Sequence, residues 1–345
     1  MGVDLKDLVS RREITLEDLT GRCIAVDAYN TLYQFLAIIR QPTGEPLKDR
    51  DGRVTSHLSG LLYRNANLME KGVRLVYVFD GNPPLLKDLE IRRRMKIKEE
   101  ALAKYEDALK RGDLTAAKSY AQMTSHIKDE MLDDARKLLD LMGIPSVQAP
   151  SEGEAQAAYM VMKGDAWATA SQDYDSLLFG SKRLVRNLAL VGKRKLPRKN
   201  VYVEVSPELV ELDMVLSELG VTREQLVDIG ILVGTDFNPE GVRSIGPKTA
   251  LKILKEYGSL EKALPSLKGA EGLRDLLPLI RDIFLKPEVS DNYKLEWKPP
   301  DSEGIIGFLC EERDFDEERV RNALNKAAIG FQKIQSKGTL DAWFK

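Results

Sequence analysis

Between Pro150 and Phe179 two acidic pairs flank one short apolar run, with Glu152 and Glu154 before Ala166–Ala170 and Asp173 and Asp175 after it. An apolar run of this length reads as a strand. Four carboxylates so spaced offer the all-oxygen donor set of a magnesium or manganese site. Each also has a plainer reading. Ser151-x-x-Glu154 is a capping-box pattern, Glu152 would then favour the positive end of a helix dipole, and Asp173 or Asp175 could be a turn or cap residue. Either reading serves a single residue. Both pairs together, with further aspartates upstream, favour a metal.

Charge balance decides what else such a chain can be. It has 345 residues, 43% of them hydrophobic, enough for one large α/β domain or a domain with appendages. Lys and Arg number 52 against 54 Asp and Glu, a formal net charge of −2. Any surface for nucleic acid must therefore be local, with acids gathered in a site and bases on its rim. Cys23, Cys310, His57 and His126 are the only residues of their types, which excludes Cys/His zinc sites and a disulfide framework. So thin a histidine supply also argues against Ser–His–Asp or Cys–His catalysis. Met1–Lys6 carries no apolar signal segment, and no run of about 18 apolar residues exists to span a membrane. A soluble, intracellular chain is expected, cytoplasmic if archaeal.

Taken in order, residues 22–28 read as a buried strand ending in Asp27, and Tyr29–Ile39 has helical spacing of Leu32, Phe35, Leu36 and Ile39. A turn-rich loop precedes a second helix at about Thr55–Lys71. Val73–Phe79 is the clearest strand, closed by Asp80-Gly81. Strands ending in aspartate and joined by helices describe an α/β fold with a mostly parallel sheet flanked by helices. Ligands gather beyond the carboxyl ends of such strands, where Asp27, Asp80 and Asp173 fall. Later expectations are a strand at Arg183–Asn187, a hairpin turning through Lys193-Arg194-Lys195, a strand at Val201–Val205, and helices at about Pro207–Leu219 and Thr222–Val233.

Three stretches carry binding chemistry. Lys87, Arg92, Arg93, Arg94, Lys96 and Lys98 crowd a helical segment that begins seven residues after Asp80. A charge run is ordinarily a solvated face, but its closeness to the acidic site favours a grip on phosphate. Gly241–Ala250, with Gly246-Pro247-Lys248 entering a helix, is similar to the helix–hairpin–helix class of sequence-independent DNA binders. Its backbone N–H groups and helix N-terminus would meet a phosphate, although an ordinary interhelical turn has the same composition. The third is the tail, where Leu340 is followed by Trp343 and Phe344, anchors suited to folding back or to docking in a partner's groove.

Taken together these motifs resemble the structure-specific 5′-nuclease superfamily, and most closely the archaeal flap endonucleases. The likeness runs end to end, through Val-Asp27-Ala-Tyr, Phe79-Asp80-Gly-x-Pro-Pro-x-x-Lys87, Ser-Glu152-Gly-Glu154-Ala, Ser-Gln-Asp173-Tyr-Asp175, Gly-Thr-Asp236 and the Ile-Gly-Pro-Lys248 turn. The resemblance implies a single PIN-like nuclease domain over 1–330, with a helical arch at 85–134, a helix–hairpin–helix element at about 222–257, and a clamp-binding tail at 331–345. It implies two Mg²⁺ ions, replaceable by Mn²⁺. Asp27, Asp80, Glu152 and Glu154 would hold one ion, Asp173 and Asp175 the other, and Asp236 would act mainly through water. Lys87 and Arg94 would contact the scissile phosphate, and Tyr33 would stack on a base unless it is a core tyrosine.

The implied activity is hydrolysis at the base of 5′ flaps on branched DNA, with 5′–3′ exonuclease activity, in Okazaki fragment maturation and base excision repair. Water is the nucleophile, and no covalent enzyme intermediate forms. A monomer is expected, and its partner would be a ring-shaped sliding clamp (PCNA) holding Leu340, Trp343 and Phe344. The chain departs from the family in the tail, where Lys337 stands at the usual glutamine position and Gln335 lies two places early. Val3 also replaces a commonly larger aliphatic. Sibling junction-resolving or excision-repair nucleases are disfavoured by the compact link between the acidic halves. A non-catalytic scaffold is disfavoured by the presence of all seven carboxylates.

Overall fold

The structure is a computed structural model that describes residues 2–41, 43–124, 126–195, 202–270 and 272–343; the side chains of 89, 123, 193–203 and 336–343 are also outside the description. Its first half comprises β1 (Arg12–Glu13), β2 (Cys23–Asp27), α1 (Ala28–Ile38), α2 (Ser56–Glu70), β3 (Arg74–Phe79), α3 (Asp88–Lys110), α4 (Leu114–Met123), α5 (Asp129–Leu141) and β4 (Ser146–Gln148). Then come α6 (Gly153–Lys163), β5 (Ala168–Ala170), α7 (Asp175–Leu178), β6 (Arg183–Arg186), β7 (Gly192–Lys195), β8 (Tyr202–Val205) and β9 (Glu208–Glu211). The rest is α8 (Leu212–Leu219), α9 (Arg223–Val233), α10 (Pro247–Tyr257), α11 (Leu260–Ala263), α12 (Leu273–Leu285), α13 (Ser302–Ile306) and α14 (Glu317–Trp343).

Seven strands form one sheet in the order β1-β9-β6-β5-β2-β3-β4. The pairs β4–β3, β3–β2, β2–β5 and β5–β6 are parallel, while β9 runs antiparallel to both β6 and β1. From β2 the chain first builds outward through β3 and β4, then returns to β5 on the other side of β2. That reversal opens a crevice beyond the carboxyl end of β2, the usual ligand position in an open α/β sheet. Asp27 is the last residue of β2.

Strand alternation divides the core. Ile24 and Val26 of β2 pack with Leu75, Tyr77 and Phe79 of β3 against α1, α2, α5 and α14. Cys23 and Ala25, with Val76 and Val78, face Ala157, Met160 and Val161 of α6. A third apolar cluster joins α6 and α7 to α8, α9, α10 and α12, and carries the helix–hairpin–helix region. Residues 287–301 hold no helix or strand and cross the second face, where Trp297 donates its indole N–H to the Leu75 carbonyl at 2.8 Å.

Three expectations need correction. Lys193-Arg194-Lys195 is not a turn but part of β7, paired antiparallel with β8. Pro207–Leu219 is not all helix, because Glu208–Glu211 adds the strand β9 before α8 begins at Leu212. Leu209 and Val210 are buried by pairing with β6, a long-range partner that overrides local helical spacing. Finally, α14 continues through 331 to Trp343 with no backbone break at the expected tail boundary. Phe344 and Lys345 lie outside the described residues, as do the side chains of Leu340 and Trp343.

Candidate active site

Parallel strands carry their following loops to one edge of the sheet, so the acids arrive there from separate segments. Asp27 ends β2 and caps α1, its Oδ1 accepting from the Asn30 N–H at 3.0 Å. Asp80 follows β3 and accepts the Gly153 N–H at 2.6 Å. A side chain at residue 153 would set its Cβ 2.6 Å from that same Asp80 oxygen, so any larger residue there would push the carboxylate aside. The capping box does not form. Glu152, not Ser151, is the N-cap of α6 and makes no capping bond, while the Ser151 hydroxyl donates to the Asn82 carbonyl at 3.0 Å. Glu152 and Glu154 are thereby left for the site.

On the other side of β2, Asp173 accepts the Asn30 side-chain amide at 2.9 Å, and Asp175 accepts the Val3 N–H at 2.7 Å. A Cβ on Gly2 would overlap the Asp175 carboxylate, so the N-terminal segment lies directly against it. Asp236 follows α9 across Gly234. Lys87 and Arg94 reach these acids from the base of α3. The Lys87 Nζ lies 2.5 Å from Glu152 and 3.7 Å from Asp236, and the Arg94 guanidinium sits 2.5 Å from Asp236. Buried Glu90, one turn before Arg94, accepts its Nε–H at 2.7 Å and aims the guanidinium. Beside Glu152 an open cleft of about 440 Å³ is lined by Pro83, Pro84, Phe179 and Lys286.

Burial and mutual repulsion dominate the electrostatics. Burial raises the Asp27 pKa well above the ordinary range, and the Asp80 charge raises it further. Glu154 is likewise pushed well up, by burial and then by Asp175, Asp27 and Asp173. Asp175 rises to about 8, through burial and then Asp236 and Asp173. Burial also raises Asp80 and Glu152, though Lys87 pulls both down. For Lys87 itself, burial opposes the charge, but Glu152, Asp80 and Asp236 together outweigh it and hold the ammonium protonated.

Among the described residues, no three His, Cys, Asp or Glu side chains stand ready as a cage for a metal ion. The carboxylates are close enough to shift one another's protonation, yet they are held by backbone donors, Asn30, Lys87 and Arg94. The donor set nevertheless fits a hard divalent cation. It is all oxygen, it repels itself, and the Glu154 Oε1 is buried with no hydrogen-bond partner.

The other expected residues lie apart from these acids. Tyr33 is half-buried on α1, outside the core clusters, with the Lys98 ammonium of α3 5.4 Å from its ring centre. Gly246 is the N-cap of α10 and exposed, with open space where a Cβ would stand, so the fold itself does not demand glycine there. Lys248 is exposed, 3.7 Å from Asp7. The sequence reading missed Asn30 and Glu90. Asn30 and Glu90 stand three and four residues from Asp27 and Arg94, a helical spacing that is the only local signal for either.

Residues 1–101 match the XPG N-terminal domain and 143–236 the XPG I-region. The chain is 57% identical, over the full length of both proteins, to flap endonuclease 1 of Hyperthermus butylicus. The chain belongs to the flap endonuclease 1 family. Flap endonuclease-1 from Methanococcus jannaschii superposes with a TM-score of 0.76 at 41% identity, covering 97% of this chain and 100% of that one. The catalytic core of Rad2 in complex with DNA substrate shares the fold, with a TM-score of 0.70 at 24% identity over 95% and 100% of the two chains. As a flap endonuclease, the chain is a DNA-acting hydrolase of a metal-dependent family. No helix among its described residues is long and apolar enough to cross a membrane.

Proposed function

We propose that this flap endonuclease binds two divalent ions, Mg²⁺ with Mn²⁺ as a substitute, and hydrolyses one phosphodiester at the base of a 5′ flap. The observation that carries this reading is that seven acids from five segments, with Lys87 and Arg94 paired to two of them, lie close enough to shift one another's protonation. Asp27, Asp80, Glu152 and Glu154 would hold one ion, Asp173 and Asp175 the second, and Asp236 would act through water. When bound, the ions supply the positive charge that makes water a nucleophile at neutral pH and offsets charge on the leaving oxygen.

The chain's own residues do the rest. Lys87 and Arg94, paired with Glu152 and Asp236, would contact the scissile phosphate. There they stabilise charge that develops in the transition state. The helices α3 and α4 form the arch beside the acids, Tyr33 offers a ring to a base, and the exposed N-terminus of α10 with Lys248 grips duplex phosphate. The tail anchors Leu340, Trp343 and Phe344 dock on a sliding clamp, and a monomer acts on DNA inside the cell.

The test is a labelled double-flap DNA against a four-way junction, each with Mg²⁺ or EDTA. Metal-dependent cutting at the flap base, with little on the junction, is expected. Preferred junction cutting, or binding without cutting under any divalent ion, refutes the reading.

A further inference from the structure

Behind the acidic site, a small cavity of about 20 Å³ lies between α1, α2 and the loop after β5. Gln34, Asn65, Tyr77 and Ser171 are among its lining residues. Two buried polar atoms of that lining have no partner, the Gln34 Oε1 and the Asn65 Nδ2. The Asn65 side chain is 1% exposed, so bulk water cannot serve it.

Hydrogen bonding orients the amides around this space. Asn30 turns its NH₂ to an Asp173 oxygen at 2.9 Å. Its Oδ1 then faces α1's next turn and accepts from the Gln34 Nε2. That leaves the Gln34 oxygen pointing away from the site, in need of a donor. From the opposite side, the Tyr77 hydroxyl donates to the Asn65 Oδ1 at 2.8 Å, which leaves the Asn65 NH₂ in need of an acceptor. One orphan accepts and the other donates. A single water can satisfy both, and the cavity exceeds the 10–15 Å³ or so that one water needs.

We propose that one buried water, accepting from Asn65 and donating to Gln34, closes a hydrogen-bond relay from Tyr77 through Asn65, Gln34 and Asn30 to Asp173. Gln34 and Asn65 are then positioning residues. They touch neither substrate nor ion, and they set the orientation of a carboxylate that does. The relay ties Asp173 to β3 and α2, two elements of the main core, whereas its own loop would leave it free to rotate. Rotation would cost metal affinity, because partners in the shell outside a ligand are worth roughly 10–100-fold in binding. The role in metal binding rests on the assignment of Asp173 to an ion.

The test titrates Mn²⁺ into the full-length, DNA-free protein by electron paramagnetic resonance, comparing wild type, Gln34→Leu, Asn65→Leu and Asp173→Asn. Thermal melts in EDTA run alongside. The relay predicts that both leucine variants weaken one Mn²⁺ site about tenfold, whatever their melting temperatures, since a purely structural loss lowers the melt without moving the metal midpoint. Leucine variants that titrate like wild type while Asp173→Asn loses an ion overturn the relay and leave the metal assignment standing. Unchanged titration in Asp173→Asn overturns the assignment beneath it. Should either leucine variant fail to fold, a high-resolution crystal structure of the wild type decides. Density for one water between the two amides supports the relay, and an empty cavity overturns it.

Discussion

Replacing Asp175 by Asn should stabilise the metal-free protein while destroying its activity. The carboxylate is buried beside Asp236 and Asp173, and its pKa is raised from an ordinary 3.8 to about 8. At pH 7 an unfolded Asp175 has lost its proton and the folded one largely keeps it. The roughly three units between pH 7 and the ordinary value, at about 1.4 kcal/mol each, set a ceiling near 4 kcal/mol on the cost of burying this group. Neighbouring acids share protons with it and absorb part of the relief. Asn keeps an oxygen for the Val3 N–H and offers an NH₂ to the surrounding carboxylates. A gain of about 2–3 kcal/mol is expected. With ~2.1 cal/mol/K of unfolding entropy per residue, the chain has ~0.7 kcal/mol/K, so the melt should rise by about 3–4 °C.

The assay is a thermal melt in EDTA at pH 7, repeated from pH 5 to 8. A raised acid pKa means that the native state holds a proton the unfolded chain has released. Wild-type stability should therefore fall as pH rises between the ordinary carboxylate range and about 8, and the variant should lose less. Adding Mg²⁺ should stabilise wild type far more than the variant. A metal-free variant melting at or below wild type would refute the reasoning, because the site would then not be under repulsion.

Other perturbations separate chemistry from binding and packing. Lys87→Ala should slow single-turnover cleavage by about 10²–10³-fold while flap affinity changes little, as for loss of one charge-stabilising donor; a comparable loss of affinity would make Lys87 a binding residue instead. Gly153→Ala should lower activity without unfolding the chain, since the added methyl pushes on Asp80, and turnover equal to wild type would show that the two segments can separate freely. Arg281 holds Asp228 through two bonds of 2.7 Å, and Asp228 is 1% exposed. Arg281→Leu should thus cost about 3–5 kcal/mol in a denaturant melt, with much of it restored by adding Asp228→Leu. Deleting residues 340–345 should leave cleavage of free flaps intact and remove stimulation by a sliding clamp; undiminished stimulation would give the tail another role.

Features whose signals are local could be read from the chain directly. The apolar runs ending at Asp27 and Asp80 marked buried strands with an acid at each carboxyl end, because a strand needs only a few adjacent residues to declare itself. Acid pairs at 152/154 and 173/175 announced a cation chemistry for the same reason. Tertiary structure alone decided whatever depends on distant partners. Glu208–Glu211 became a strand because β6 was there to pair with it, and Glu152 rather than Ser151 became the N-cap of α6, where the Asp80 carboxylate accepts the Gly153 N–H. Lys87 and Arg94 were drawn among the acids by ion pairs that span 65 and 142 residues of chain. Asn30, Gln34 and Asn65 carry no motif at all. Their place behind Asp173 follows from which helices the sheet stacks together, and hydrogen bonding across that contact has no counterpart in the linear order of residues.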